Sequence, residues 1–167
     1  RKGLLRWYEG RDTDGEGRSQ MVYAALLSGI TLAQVGLGSV HGLASPLGAF
    51  FPIPHGAVCG TLVAAATRVN LDALARRDPA AIALGKYAEA GRTLAGDPSL
   101  DDEAARSALL AILDDYTAKL MLPRLSAFGM TAADTNRTVA ASRGSSMKTN
   151  PIVLEDAEIT RVLAERL

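Results

Sequence analysis

Apolar residues recur at helical intervals along almost the whole chain, and this periodicity restricts the fold more than any other feature. Residues 55–70 show it most cleanly. There Val58, Leu62, Ala65 and Val69 stand at i, i+4, i+7 and i+11, on one face of a helix. Over 19–37 the apolar residues run almost all round (Met21, Val22, Leu26, Leu27, Ile30, Leu32, Val35), the pattern of a buried central helix. Later segments are amphipathic. Ala81, Leu84, Ala88 and Leu94 make one stripe. Ala105, Leu109, Ile112, Tyr116 and Leu120 make another, opened by Ser99 with Asp102 and ended before Pro123. Thr131 with Asp134 predicts a short helix up to about Arg143, and the last helix, from about Glu155, uses Ile159, Val162 and Leu163. Aromatics are only 5% and no period-two run bounded by turns occurs, so strand signals are nearly absent. The expectation is a single all-α domain over 1–167, a helical bundle of about six or seven helices. Irregular stretches are expected at 11–17 and 144–151.

Eighteen basic side chains balance eighteen acidic ones and no Lys/Arg run forms, so neither nucleic acid nor an anionic membrane is an expected partner. Glycine, proline and polar side chains interrupt the apolar runs before bilayer length. The charged stretch 1–14 lacks the apolar core of a signal peptide. A single cysteine, Cys59, excludes an internal disulfide and fits a reducing compartment, so the expected location is cytoplasmic. A start at Arg rather than Met reads as a processed, truncated or partly observed product.

The two histidines, His41 and His55, fall in the run Gly36-Leu37-Gly38-Ser39-Val40-His41-Gly42-Leu43-Ala44-Ser45-Pro46-Leu47-Gly48 and in Pro52-Ile53-Pro54-His55-Gly56. His41 is expected on a short helical turn ending at Pro46, with Ser45 one turn along on the same face. His55 follows Pro54, where the next helix should begin. Gly42, Gly48 and Gly56 leave room for close backbone approach around both rings. Neutral imidazoles are what a metal ion requires, yet two histidines in an apolar neighbourhood are also what a packed core satisfies without a ligand. Two are in any case too few, since catalytic zinc takes about three protein ligands and iron sites a similar number. Asp12 and Asp14 read as solvated loop carboxylates, Lys148 and Arg143 as surface cations, and Cys59 as a small buried hydrophobe.

The run from Gly36 to Gly56 resembles the signature of the iron-containing (group III) alcohol dehydrogenases: Gly-Leu-Gly, Val-His, His-Pro-Leu-Gly, then Pro-His-Gly opening a long apolar helix. A looser likeness continues through the Asn70 region and Lys148-Thr149-Asn150-Pro151. The resemblance implies the C-terminal helical part of a two-domain enzyme with dehydroquinate-synthase-like architecture. It makes His41 and His55 two of four metal ligands, the other two, an aspartate and a histidine, lying upstream. The implied cofactors are Fe(2+), with Zn(2+) or another divalent metal as the alternative, and NAD or NADP bound by an N-terminal domain absent from this chain. No G-x-G-x-x-G cradle occurs here. The implied reaction interconverts a small alcohol with an aldehyde or ketone, in a homo-oligomer, and the fragment alone would be inactive. One position departs from the family pattern. A second histidine usually stands four residues after the first ligand, and here that position is Ser45, which can hydrogen-bond but cannot titrate near neutral pH. Ser45 and Leu32 are the candidates for lining the substrate pocket, with core packing the alternative for Leu32. A dehydroquinate-synthase-like or glycerol-dehydrogenase-like metal enzyme, or a non-catalytic helical module, are the other readings. The His41–Gly48 pattern with Pro46 fits the alcohol dehydrogenases better than the lyase.

Overall fold

The computed structural model describes residues 2–167, and their regular structure is entirely helical. The all-α expectation is met, with nine α-helices and two 3₁₀ turns among the described residues where six or seven helices were expected. The extra ones are short pieces and a helix around His41. The residues fall into two compact units, 2–36 and 37–167.

In the first unit α1 (Gly3–Tyr8) packs on α2 (Glu16–Gln34). The two backbones come so close that a Cβ on Gly3 would lie 2.8 Å from the carbonyl oxygen of Gly17. Of the two loop carboxylates, Asp14 stays exposed, as expected, while Asp12 is drawn into the fold. Asp12 accepts the N–H groups of Gly17 (2.7 Å) and Arg18 (2.8 Å), satisfying donors at the start of α2. Asp14 accepts from the Arg6 guanidinium at 2.6 Å, which holds its carboxyl below the usual range.

The reading of 19–37 as a buried helix needs correction. The helix exists, three residues earlier than expected, but most of its apolar residues are exposed: Val22 is 62% accessible, Leu26 59% and Ile30 53%. Hydrophobicity all round a helix states how much surface needs cover. It does not state which element provides it, and within residues 2–36 the only other helix is the six-residue α1.

The second unit is organised around α4 (His55–Arg77), whose Val58, Leu62, Ala65 and Val69 are all buried in one core cluster, as the periodicity requires. Long and apolar enough by composition to cross a bilayer, α4 is buried along most of that stretch, as the core helix of a folded domain is. Four helices pack on it: α3 (Ser39–Phe50), α5 (Ile82–Ala95), α6 (Asp102–Lys119) and α9 (Asp156–Arg166). Leu43 and Leu47 of α3 and Ile159, Val162 and Leu163 of α9 join the cluster, with Leu125, Met130, Val139, Met147 and Leu154 from the segments between. Charged pairs line the α4–α9 seam: Arg68 with Glu165 (2.5 Å) and Arg77 with Glu158 (2.8 Å). Glu158 is only 8% accessible, and the guanidinium groups of Arg76 and Arg77 both contact it.

Helix starts are partly where the capping signals put them. Glu155 with Glu158 caps α9, and Thr131 with Asp134 forms the expected reciprocal box. That box opens a 3₁₀ turn (Ala132–Asp134) before α7 (Thr135–Ala141). Ser99 does not cap α6. Its hydroxyl is held by Asp97 at 2.6 Å, and Asp101 caps instead, accepting the N–H of Ala104 at 2.8 Å. The stretch 144–151 contains one helical turn, α8 (Ser145–Lys148). There Arg143 is engaged rather than free, donating to the Leu154 carbonyl at 2.6 Å and pairing with Asp156.

The hairpin of α5 (Ile82–Ala95) and α6 closes on a glycine. A Cβ at Gly91 would lie 1.9 Å from the carbonyl oxygen of Ala105, so only a bare Cα fits. We predict that Gly91→Ala lowers stability by about 3 kcal/mol, the upper part of the overpacking range, because a backbone carbonyl cannot swing aside. A chemical unfolding curve with an unchanged midpoint would show that the hairpin relaxes freely.

Candidate metal centre

Pro46 was expected to end the turn carrying His41, but α3 continues through it to Phe50. Proline removes one helical hydrogen bond and costs about 3 kcal/mol in an isolated helix. Here Leu43, Pro46 and Leu47 are buried together, and tertiary packing outweighs the local penalty. His41 therefore sits in the first turn of a twelve-residue helix, with Ser45 one turn on, exposed.

The start of α3 is held from a distant part of the chain. Asn150 accepts the N–H of Ser39 at 2.9 Å through its Oδ1, acting as a cap supplied 111 residues away. Its Nδ2 donates to Asn70 Oδ1 (2.7 Å) and to the Ile152 carbonyl (2.8 Å), while Asn70 Nδ2 donates to Tyr87 Oη at 3.2 Å. Among the described residues no buried side-chain nitrogen or oxygen is left without a partner.

The link after α3 returns the chain toward its start. Phe51 (φ −136°, ψ 151°) and Pro54 (φ −59°, ψ 135°) are extended, and Phe51 and Ile53 are buried as anchors. From His41 to Phe50 the helix rises about 13 Å, and four extended residues have a comparable reach. The carbonyl of Pro54 then accepts the N–H groups of Ala57 and Val58, starting α4 with His55 as its first residue.

The two imidazoles consequently meet. Their ring centroids are 5.3 Å apart, tilted by 52°. Both present Nε2 to the Sγ of Cys59, His55 at 3.5 Å and His41 at 3.8 Å. The hydrogen bonds among the described residues lock neither ring to a backbone group. Burial pushes the His41 imidazolium below its ordinary pKa, and the neighbouring His55 adds to the effect. The Cys59 thiol is pushed up by burial. Two nitrogens and one sulfur within 4.8 Å of one another are a donor set that fits a divalent cation.

Sequence reasoning missed Cys59. It lies four residues after His55 on the same helix, so the two share a face, a spacing visible in the sequence. Of the three glycines expected around the rings, only Gly42 meets a close neighbour: a Cβ there would stand 2.9 Å from Met147 Cε and 3.3 Å from the Ser142 carbonyl oxygen. Gly48 and Gly56 face open space. Leu32 lies on α2 in the first unit and is 48% accessible.

Two imidazoles at the starts of successive helices thus converge beside one thiol in an all-helical domain. The chain belongs to the Fe-containing alcohol dehydrogenase family, matching its C-terminal part over residues 3–167. It is 39% identical over 59 residues to a lactaldehyde reductase of Escherichia coli K12, a stretch covering 35% of this chain and 15% of that protein. Against an NADPH-dependent butanol dehydrogenase of Clostridium saccharobutylicum it is 28% identical over 120 residues, 72% of this chain and 28% of the relative. The fold matches an alcohol dehydrogenase from Oenococcus oeni with a TM-score of 0.79 at 23% identity, covering 99% of this chain and 43% of that one. The chain thus spans less than half the length of these relatives.

Removing the cap on α3 should loosen the whole site. Asn150→Ala strips partners from the buried Ser39 N–H and Asn70 carbonyl, at roughly 1–3 kcal/mol each. We expect a loss of about 3 kcal/mol in urea unfolding, with shifted ring resonances for both His41 and His55. Unshifted resonances would mean that Asn150 does not set the position of α3.

Proposed function

We propose that residues 1–167 serve as the helical metal-binding domain of an enzyme that interconverts a small alcohol with an aldehyde or ketone. His41 and His55 are two of its metal ligands, and NAD or NADP is bound by a separate domain. The observation that carries the reading is the convergence of two Nε2 atoms on one point, in a chain belonging to the Fe-containing alcohol dehydrogenase family. Iron is the metal the family description favours, with zinc the alternative.

When bound, a divalent cation supplies Lewis acidity toward the substrate oxygen and a nicotinamide supplies the hydride carrier. The chain's own residues hold and shape. Burial favours the neutral form of the His41 ring, the form that ligation requires. Ser45, exposed one turn from His41, is taken as a hydrogen-bonding partner for a substrate hydroxyl or a water. It moves no proton by titration, so a relay through this position runs through water. The same reading makes the enzyme cytoplasmic, on its lone cysteine, and homo-oligomeric, on the resemblance alone.

The test uses the intact protein loaded with Fe(II) and assayed for alcohol-dependent reduction of NAD or NADP. His41→Ala and His55→Ala should each retain helical content, lose bound metal and lose turnover by roughly a thousandfold or more, since a Lewis acid is worth several kcal/mol of barrier. Metal retained by both variants would remove the two residues from the ligand set. Metal bound without reduction of either nucleotide by any simple alcohol would favour the lyase alternative.

A further inference from the structure

A cleft of about 580 Å³ opens between α5 and the 149–151 loop, and neither His41 nor His55 lines it. We propose that this cleft binds a monocarboxylate carried on a short apolar body.

Its walls are held in place without a ligand. Ala83, Lys86, Tyr87 and Ala90 stand at i, i+3, i+4 and i+7 and so line the cleft from one face of α5. Behind them, α5 is fixed by the close approach of Gly91 to the Ala105 carbonyl. On the other side, Pro151 follows Asn150, whose amide donates to Asn70 and to the Ile152 carbonyl, and Thr149 donates to the Leu37 carbonyl. The volume lies within the range of small-molecule sites.

The chemistry of the lining selects the ligand. Tyr87 Oη accepts from Asn70 Nδ2 at 3.2 Å, and its own O–H donates to no described residue. Burial pushes the Tyr87 hydroxyl above its ordinary pKa, so it remains a donor at neutral pH. Lys86 is exposed and makes no ion pair with a described residue, and no carboxylate lines the cleft. An anionic acceptor entering here meets an unused O–H and an unpaired ammonium, and gains a charge-assisted hydrogen bond. One ammonium matches one negative charge, which suits a carboxylate better than a phosphate dianion. Ile82, 80% accessible, together with Ala83, Ala90 and Pro151 offers apolar surface to the body of the ligand.

The intact protein is first stripped of metal, so that a carboxylate cannot report on the histidine pair. It is then titrated calorimetrically with hexanoate and with hexanamide, the uncharged isostere. Hexanoate should bind saturably, at about one site per chain and in roughly the millimolar range or tighter, as ligands of this size do. Hexanamide should bind at least about tenfold more weakly. Tyr87→Phe should weaken hexanoate by about tenfold, the worth of a hydrogen bond to a charged group. Lys86→Met should weaken it by about two- to fivefold and flatten its salt dependence. Ala83→Trp, which fills the cleft, should abolish binding. Equal affinity for acid and amide would overturn the carboxylate assignment. Hexanoate binding left unchanged by all three substitutions, or absent from the wild type, would overturn the site. Photocrosslinking of the wild type with a diazirine analogue of hexanoate depends on no variant folding. Label on residues 82–90 supports the proposal, and label only elsewhere rejects it.

Discussion

A single side-chain amide ties the two ends of the second unit together. Asn150 lies in the loop before the last helix, yet it caps the first turn of α3 and holds Asn70 in the middle of α4. Both helices that carry the imidazoles are thus referenced to one buried group. In a medium from which water is excluded, the alternative is two or three unpaired polar atoms, each costly. That asymmetry, rather than the modest net strength of each bond, makes the arrangement definite. The apolar cluster of α3, α4 and α9 supplies the bulk of the driving force. It is non-directional, and the amide network selects the register in which it is used.

What was legible in the sequence follows the range of the forces involved. The buried face of α4 could be read residue by residue, because a core helix with one apolar stripe encodes its burial locally. The final helix, with Glu155 and Glu158 at its start, was legible for the same reason. The environment of α2 was not, since its apolar residues surround the axis and the cover for them is not a local property. Pro46 misled in the opposite direction. Its local penalty argued for an end to the helix, and the burial of Leu43 and Leu47 overrode it. Ser99 failed as a cap because Asp97 competes for its hydroxyl, a contest between near neighbours that a capping pattern does not register.

At the candidate site the two histidines stand out through their signature, whereas Cys59 reads in the sequence as a small buried hydrophobe. The chemistry that matters is helical and tertiary. Four residues place the thiol over His55, and the return of the chain after α3 adds His41. Cluster reasoning on a helix therefore has to be done at i+3 and i+4 rather than among immediate neighbours.

The glycines of the signature separate into two kinds, and the separation says what the motif is for. At Gly38 a Cβ would stand 3.0 Å from Asn150 Oδ1, against the atom that caps α3, and at Gly42 it would press on Met147 and the Ser142 carbonyl. These two positions let the 142–150 segment lie against the start of α3, so they belong to the scaffold. Gly48 and Gly56 meet nothing within 4 Å, and Gly56 is the residue after His55, exposed at the mouth of α4. No packing inside residues 37–167 asks for a missing side chain there. The first half of the motif is accounted for by how the helices fit together.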